Sequence, residues 1–270
     1  MISRPACLAV FTALICAAAS ASAAEIAPHR ALYSLSLATT KSSSGVIGAS
    51  GAMVYEWGET CDGWTVQQRF RLRLEYAEQG NVEVSSTLVT WEAKDGLRYR
   101  FNERRLRNGE LDEEIKGEAT LDGSGKGGSA EFSKPEAATL PLPAGSLFPT
   151  AHTVLLIERA QAGDNFVGRH VFDGATVETA GTITAVIGPK LQPGPSSKDE
   201  KLPKSPLLQR PSWRMRLAFF PADSKQEQPD YELGMRLLDN GVSQDMSLDY
   251  GDYVVRARLD DIEALPRPSC

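Results

Sequence analysis

The chain has 270 residues with 29 Lys and Arg against 35 Asp and Glu, a formal net charge of −6. That balance argues against a dedicated nucleic-acid binder, which needs a basic surface for phosphates, while leaving room for a local basic patch. Beyond the N-terminus, no segment approaches the roughly 20 apolar residues of a membrane-spanning helix.

The N-terminus reads MISRPACLAVFTALICAAASASAAE. Arg4 is followed by an apolar stretch from Leu8 to Ala19, and Ala21-Ser22-Ala23 and Ser22-Ala23-Ala24 both fit a small-residue cleavage site. This pattern predicts a secretory signal peptide over residues 1–24, removed on export. Residues 25–270 then form a single periplasmic domain. Lipidation at Cys16 is disfavoured, because a lipidated cysteine normally follows a small residue and Ile15 is not small. Cleavage also removes Cys7, leaving only Cys61 and Cys270.

Two cysteines allow one intramolecular connectivity, and an oxidising compartment favours it. The chain-entropy view assigns a loop this long about 5 kcal/mol as an upper figure. The expected role is a staple that clamps the two ends of a sheet. A bridge between two chains and a redox site are the alternatives, although no Cys-x-x-Cys spacing supports the latter.

Turn signals recur along the chain at Asp62-Gly63, Asp95-Gly96, Asn108-Gly109, Asp122-Gly123, Asp173-Gly174 and Asn240-Gly241. Such pairs tolerate positive φ and suit tight hairpins. Between them the pattern alternates. Trp64, Val66, Gln68, Phe70, Leu72, Leu74 and Tyr76 form a mostly apolar face, and Thr65, Gln67, Arg69, Arg71, Arg73 and Glu75 form the other. A period of two predicts a half-buried strand. Strands are predicted likewise over Ala31–Thr39, Gly51–Trp57, Val82–Ala93, Leu97–Leu106, Glu110–Leu121, Phe166–Phe172 and Thr176–Ile187. Further strands are predicted over Trp213–Phe220, Tyr231–Leu238, Val242–Tyr250 and Tyr253–Ile262. A dozen or more hairpin-linked strands predict an antiparallel meander curled into a barrel or sandwich.

One segment departs from this rhythm. Leu147 to Gly163 reads LFPTAHTVLLIERAQAG, with Pro149 in a first turn, Ala151, Val154, Leu155 and Ala162 at helical spacing, and Gly163 as a stop. A single helix packed on the sheet is expected. Gly188 to Pro211 holds Pro189, Pro193, Pro195, Pro203, Pro206 and Pro211. It is read as a flexible loop, not a folded element.

Catalytic and cofactor signatures are weak. Gly123-Ser124-Gly125-Lys126-Gly127-Gly128 has a Gly-x-Gly-x-x-Gly spacing, but Ser129 to Pro135 reads as strand and turn, whereas a nucleotide site needs a helix there. His29, His152 and His170 show no metal-ligand spacing, and Gly-x-Ser-x-Gly is absent. The acidic groups Asp112, Glu113, Glu114 and Asp260, Asp261, Glu263 are read as solvated strand faces and ends, with calcium binding or glycoside cleavage as the sharper alternative. No catalytic, cofactor or metal residue is assigned. If the curled sheet is not filled by its own side chains, Trp57, Trp64, Trp91 and Trp213 are candidates to line a cavity for an apolar ligand; an ordinary filled core is the competing reading.

Several segments together resemble the EipB family of periplasmic cell-envelope integrity proteins. They are His29-Arg30-Ala31-Leu32-Tyr33, Glu59-Thr60-Cys61-Asp62-Gly63-Trp64, LPAGSLFPTAHTVLLIERAQAG, Val171-Phe172-Asp173-Gly174 and the C-terminal cysteine. The resemblance implies a many-stranded β-spiral, an incompletely closed barrel with one associated helix, and a Cys61–Cys270 disulfide. It also implies a fold similar to periplasmic lipoprotein carriers, although fold alone does not decide function. The expected function is non-enzymatic support of the envelope by a monomer without cofactor or metal. It would bind a lipid, a lipoprotein or a periplasmic envelope protein. The alternatives are a scaffold with a filled core and an envelope hydrolase.

Overall fold

The structure, a computed structural model, describes residues 25–78, 80–195, 201–222 and 228–270. The expected signal segment 1–24 and residues 196–200 of the Pro-rich stretch lie outside the described residues. The first arm of the chain comprises β1 (His29–Thr40), β2 (Val46–Glu59), β3 (Gly63–Tyr76), β4 (Gly80–Ala93), β5 (Arg98–Arg107), β6 (Glu110–Leu121), β7 (Gly128–Lys134) and β8 (Ala138–Leu142). Helix α1 (Pro149–Ala162) leads to the second arm. That arm comprises β9 (Phe166–Val171), β10 (Gly181–Leu191), β11 (Ser212–Phe220), β12 (Tyr231–Leu238), β13 (Ser243–Asp249) and β14 (Tyr253–Ala264).

All fourteen strands belong to one sheet in the order β8-β7-β6-β5-β4-β3-β2-β1-β14-β13-β12-β11-β10-β9. Every pairing is antiparallel. The two meander arms are joined where β1 pairs with β14, so the first and last strands lie mid-sheet and β8 and β9 are its edges. Those edges do not pair with each other. Leu147 makes a parallel bridge to Val171, and the Thr179 hydroxyl donates to the Pro141 carbonyl. This is the antiparallel meander that the alternation predicts, and the incompletely closed, many-stranded sheet with one helix that the resemblance implies.

Alternation sets which side is buried. In β1, His29, Ala31, Tyr33 and Leu35 are buried while Arg30 and Leu32 are exposed. Their inward partners are Trp57, Tyr55, Met53 and Gly51 of β2. A one-residue slip would turn every one of these side chains outward, so burial holds the register. The β5–β6 hairpin turns on Asn108 and Gly109, with φ of 53° and 84°, as the Asn-Gly signal predicts.

Three expectations need correction. The strand predicted over Thr176–Ile187 starts only at Gly181, because the chain from Phe172 to Ala180 instead tucks against β5 and β7, where Phe172 packs on Phe101 of β5 and Phe132 of β7. The Pro-rich stretch is not uniformly loop. β10 continues to Leu191, Pro206–Leu208 forms a 3-10 turn, and Leu208 is buried in the same core as Leu238 and Val242. The apolar side chains between the prolines decide that outcome. The helix also presents a different face from the predicted one. Thr150, His152, Leu156, Ile157 and Ala160 are buried, while Ala151, Val154 and Leu155 are only partly covered and Ala162 is exposed.

Cys61 and Cys270 are bonded, with Cα atoms 5.7 Å apart and a sequence separation of 209. The bond does not clamp the free edges of the sheet. Cys61 lies in the β2–β3 turn and Cys270 six residues past Ala264, so the bond pins the C-terminal tail beside strands that are already mid-sheet. The tail is laced down further. Leu265 N–H donates to the Pro28 carbonyl at 2.9 Å, and Arg267 pairs with Glu25 at 2.8 Å and Glu59 at 3.3 Å. Reduction, or Cys270→Ser, is expected to lower Tm by roughly 5–15 °C while leaving the far-UV β signal intact. An unchanged Tm under reducing conditions would show that these contacts hold the tail without the bond.

Candidate functional site

The concave face of β2–β5 carries an interior cavity of about 220 Å³. Its wall is built row by row. Tyr55 of β2, Gln68 of β3 and Leu88 of β4 are register partners, as are Trp57, Val66 and Thr90. Tyr99 of β5, Thr150 and Thr153 of α1, and Asp173 and Ala175 complete it. Tyr55, Val66, Gln68 and Leu88 are only partly buried although they point inward. In the second arm, Leu233, Met235, Met246 and Leu248 are likewise partly buried against the core. These inward side chains therefore leave a partly open hollow between the sheet and α1, beside the packed core.

Helix α1 is seated over this cavity by Glu92. The N-terminal Phe148 offers no side-chain cap. The carboxylate of Glu92, from β4, instead accepts Thr150 N–H at 2.7 Å and Ala151 N–H at 2.8 Å. It thereby satisfies two of the donors a helix start leaves unpaired and sits at the positive end of the dipole. Burial pushes its carboxyl up to about 7, while the two backbone donors pull the other way.

The segment Phe172–Ala180 forms the other boundary. Asp173 accepts the Tyr99 hydroxyl on its carbonyl at 2.9 Å and takes Ala175 N–H on its carboxylate at 2.9 Å. Burial raises the Asp173 carboxyl above its ordinary range. Arg105 of β5 makes both guanidinium contacts to Glu103, at 2.9 and 3.0 Å, reaches Glu113 at 2.7 Å, and donates to the Ala175 carbonyl at 2.6 Å. A second hollow of about 230 Å³ lies on the far side of this segment, lined by Arg105, Phe219, Phe220 and Tyr231 and sharing Asp173 and Ala175 with the first. The segment is a partition between the two.

The residues singled out from the sequence disperse. Of the four tryptophans, Trp57 lines the cavity and Trp213 is buried in the core. Trp64 lines a groove outside α1, under the Lys94 ammonium at 5.3 Å. Trp91 lies on the convex surface between Arg98 and Arg100. His29 Nδ1–H donates to the Ala27 carbonyl at 2.7 Å, beside the Tyr55 and Trp57 rings. His152 is buried on the core face of α1, and burial together with the Arg169 charge pushes its imidazole down to about 4. His170 is exposed on β9. Among the acidic groups, Glu113 serves Arg105, Glu263 serves Arg30 and Asp260 serves Arg258. The glycine run 123–128 is the β6–β7 hairpin, with Asp122 N–H on the Gly127 carbonyl.

Glu92, Glu103, Arg105 and Asp173 were not picked out. A signal existed for three of them. Glu92 shares inward parity with Val82, Val84, Leu88 and Thr90, and Glu103 and Arg105 share it with Tyr99 and Phe101. A charge at an inward position must find a partner or neutralise.

The EipB-like family profile matches residues 20–266. The chain belongs to the EipB-like family. It is 35% identical over 247 residues to the Cell envelope integrity protein EipB of Brucella abortus (strain 2308), covering 90% of this chain and 86% of that protein. It is also similar to a crystal structure of a beta-barrel-like protein of domain of unknown function DUF1849 from Brucella abortus. That similarity has a TM-score of 0.82 and 31% identity, covering 90% of this chain and all of the other. The EipB-like segments noted above fall at the architectural joints. Glu59 to Trp64 is the disulfide-bearing turn, Leu142 to Gly163 carries α1 across the sheet gap, and Val171 to Gly174 starts the partition.

Glu92 makes stability depend on pH with a definite sign. Its folded-state value lies above the ordinary carboxylate value of 4.5, so the folded chain holds more protons than the unfolded chain between about 4.5 and 7. This contribution therefore falls as pH rises through that window. Glu92→Gln is expected to flatten that part of the Tm–pH profile. Glu92→Ala is expected to cost about 2–3 kcal/mol at neutral pH, because it strands two buried N–H groups. A wild-type profile that instead rose between pH 4.5 and 7, with Glu92→Gln removing the rise, would reverse the assignment.

Proposed function

We propose that this chain supports the cell envelope from the periplasm, without catalysis, by holding the apolar chain of a lipid or lipidated envelope component in its curled sheet. Family membership supports the envelope role, since the curated relative is named for envelope integrity. The ligand class rests on one observation: inward side chains of β2–β4 stay partly uncovered around the cavity. Fully packed interiors leave few voids larger than a water molecule. An uncovered apolar wall inside a sheet favours an apolar occupant.

Each hollow alone falls below the roughly 300–1,000 Å³ of typical small-molecule sites. An acyl chain of ordinary length therefore needs the partition moved. That partition is held by the Tyr99 hydroxyl, the Arg105 guanidinium, the Thr179 hydroxyl, Phe172 N–H on the Leu147 carbonyl, and the ring of Phe172, which packs against Tyr99, Phe101, Phe132 and Phe148. All except the ring are single hydrogen bonds, each worth on the order of 1 kcal/mol net. Displacing the segment merges the hollows without unpairing any strand.

A fluorescent palmitate should bind the purified mature chain with a micromolar Kd. Leu88→Trp, which fills the cavity, should weaken binding at least tenfold without lowering Tm by more than a few degrees. Arg105→Ala should accelerate binding by loosening the partition. In a deletion strain, wild type should restore detergent resistance and Leu88→Trp should not. Failure to bind any acyl probe, with full complementation by Leu88→Trp, would return the chain to a scaffold acting through its surface.

A further inference from the structure

The convex face of β3–β5 is the other side of the strands that line the cavity, and its charge differs from that of the whole molecule. Alternation places Arg69, Arg71, Arg73, Arg98, Arg100 and Arg104 outward, all exposed. The outward carboxylates on these three strands are Glu75 and Glu83, and Glu83 is held by Arg71 at 2.8 Å. Among the described residues, no carboxylate lies within ion-pair distance of Arg69, Arg73 or Arg104. β2 does not neutralise this face, because Val54, Ala52 and Ser50 are the register partners of Arg69, Arg71 and Arg73, and its outward carboxylate Glu56 is held by Arg30 at 2.8 Å. β6 brings Glu114, Lys116 and Glu118 opposite Arg104, Asn102 and Arg100; Glu118 stands 4.0 Å from Arg100, while Glu114 stands 4.0 Å from Lys134. The chain overall has a net charge of −6, so this excess of arginine is local.

Two details give the face a ligand chemistry. Arg69 and Arg104 are both register partners of Thr87, one on each side. Two strand spacings, roughly 10 Å, separate them, a gap that two long guanidinium side chains can close on one phosphate beside the hydroxyl. Beside this row, Val89 is exposed and the Trp91 ring is flanked by the guanidinium carbons of Arg98 at 5.6 Å and Arg100 at 5.1 Å. Tryptophan with arginine is the composition of a surface resting at a membrane interface, where the indole sits among head groups and the cations meet phosphate.

We propose that the convex face of β3–β5 docks on an anionic phospholipid bilayer, with Arg69, Thr87 and Arg104 holding head-group phosphate and Trp91 lying at the interface. The breadth of the face favours a bilayer over a small acidic partner. The arginines spread across three strands of a convex sheet and not into a cleft. The acidic remainder of the molecule is repelled by the same membrane, which orients this face toward it. This inference does not depend on the cavity holding a lipid.

The test is flotation of the mature chain with vesicles of pure phosphatidylcholine or of phosphatidylcholine with phosphatidylglycerol. Wild type should float only with the anionic vesicles, and less as salt rises through the range where the Debye length falls below about 10 Å. The triple variant Arg69→Glu, Arg73→Glu, Arg104→Glu should lose partitioning by at least a hundredfold, about fivefold per arginine removed. Its Tm should fall by no more than a few degrees, because these side chains are exposed and the new like-charge pairs across the strands are position 73 with Glu83 and position 104 with Glu114. The variant Arg69→Gln, Arg73→Gln, Arg104→Gln, which avoids those pairs, should lose partitioning too. Arg256→Glu, on the second arm, should float like wild type. Flotation unaffected by the triple variant overturns the assignment. So does arginine-dependent binding of inorganic phosphate or an acidic protein without flotation, which gives the face another partner. Acyl-probe binding should survive in the triple variant, which separates failure here from failure of the cavity.

Discussion

The pairing of β1 with β14 is the constraint on which the rest depends. Eleven register pairs, from His29 with Ala264 to Thr40 with Tyr253, join segments more than two hundred residues apart. Each other strand pairing is between sequence neighbours, so the two arms could each form as a meander. Only this contact makes them one sheet. It puts the most strongly non-local pairing in the middle, where it is buried on the inner side by Ala31, Tyr33, Ala257 and Leu259. Closing so long a loop is entropically expensive, and long-range β pairing is correspondingly slow. The Cys61–Cys270 bond and the Arg267 ion pairs act on the same junction from the outside.

With the chain ends held mid-sheet, the free edges fall to β8 and β9, and the chain between them must cross the gap. An unpaired edge is a template for unwanted pairing. Here Leu147 covers part of β9, and α1 stands across the opening. The helix has no local cap, so its start depends on a carboxylate from β4. Glu92 thus couples the plug to the wall. The same wall, continued into β5, supplies Tyr99 and Arg105 to hold the partition. Architecture and hollow share their residues, because the strands that seat the helix also line the space beneath it.

The two faces of β3–β5 do different work. Inward positions give apolar surface and a few paired charges; outward positions carry an excess of arginine over carboxylate and a half-covered tryptophan. A twisted antiparallel sheet permits this because neighbouring residues on a strand point to opposite sides. Apolar and basic surfaces therefore lie one strand thickness apart on the same three strands.

The amino-acid pattern alone determined what depends on near neighbours. It set the period-two faces of β3 and β4, the Asn108-Gly109 hairpin and the helix stop at Gly163. Sterics and solvation act on those features within a few residues, so local sequence is enough to read them. It could not determine which strands meet across the sheet, because β1 and β14 are distant in sequence and alternation is the same whatever the partner. The faces of α1 were ambiguous for a similar reason: apolar residues lie nearly all around it, and the buried face was chosen by Glu92 and the strands beneath. The partition was missed because Thr176–Ile187 alternates like a strand, and only the pocket beside Phe101 and Arg105 draws its first residues out of the sheet. Tertiary structure decided those questions, since each turns on a contact between segments whose order in the chain says nothing about their distance in space.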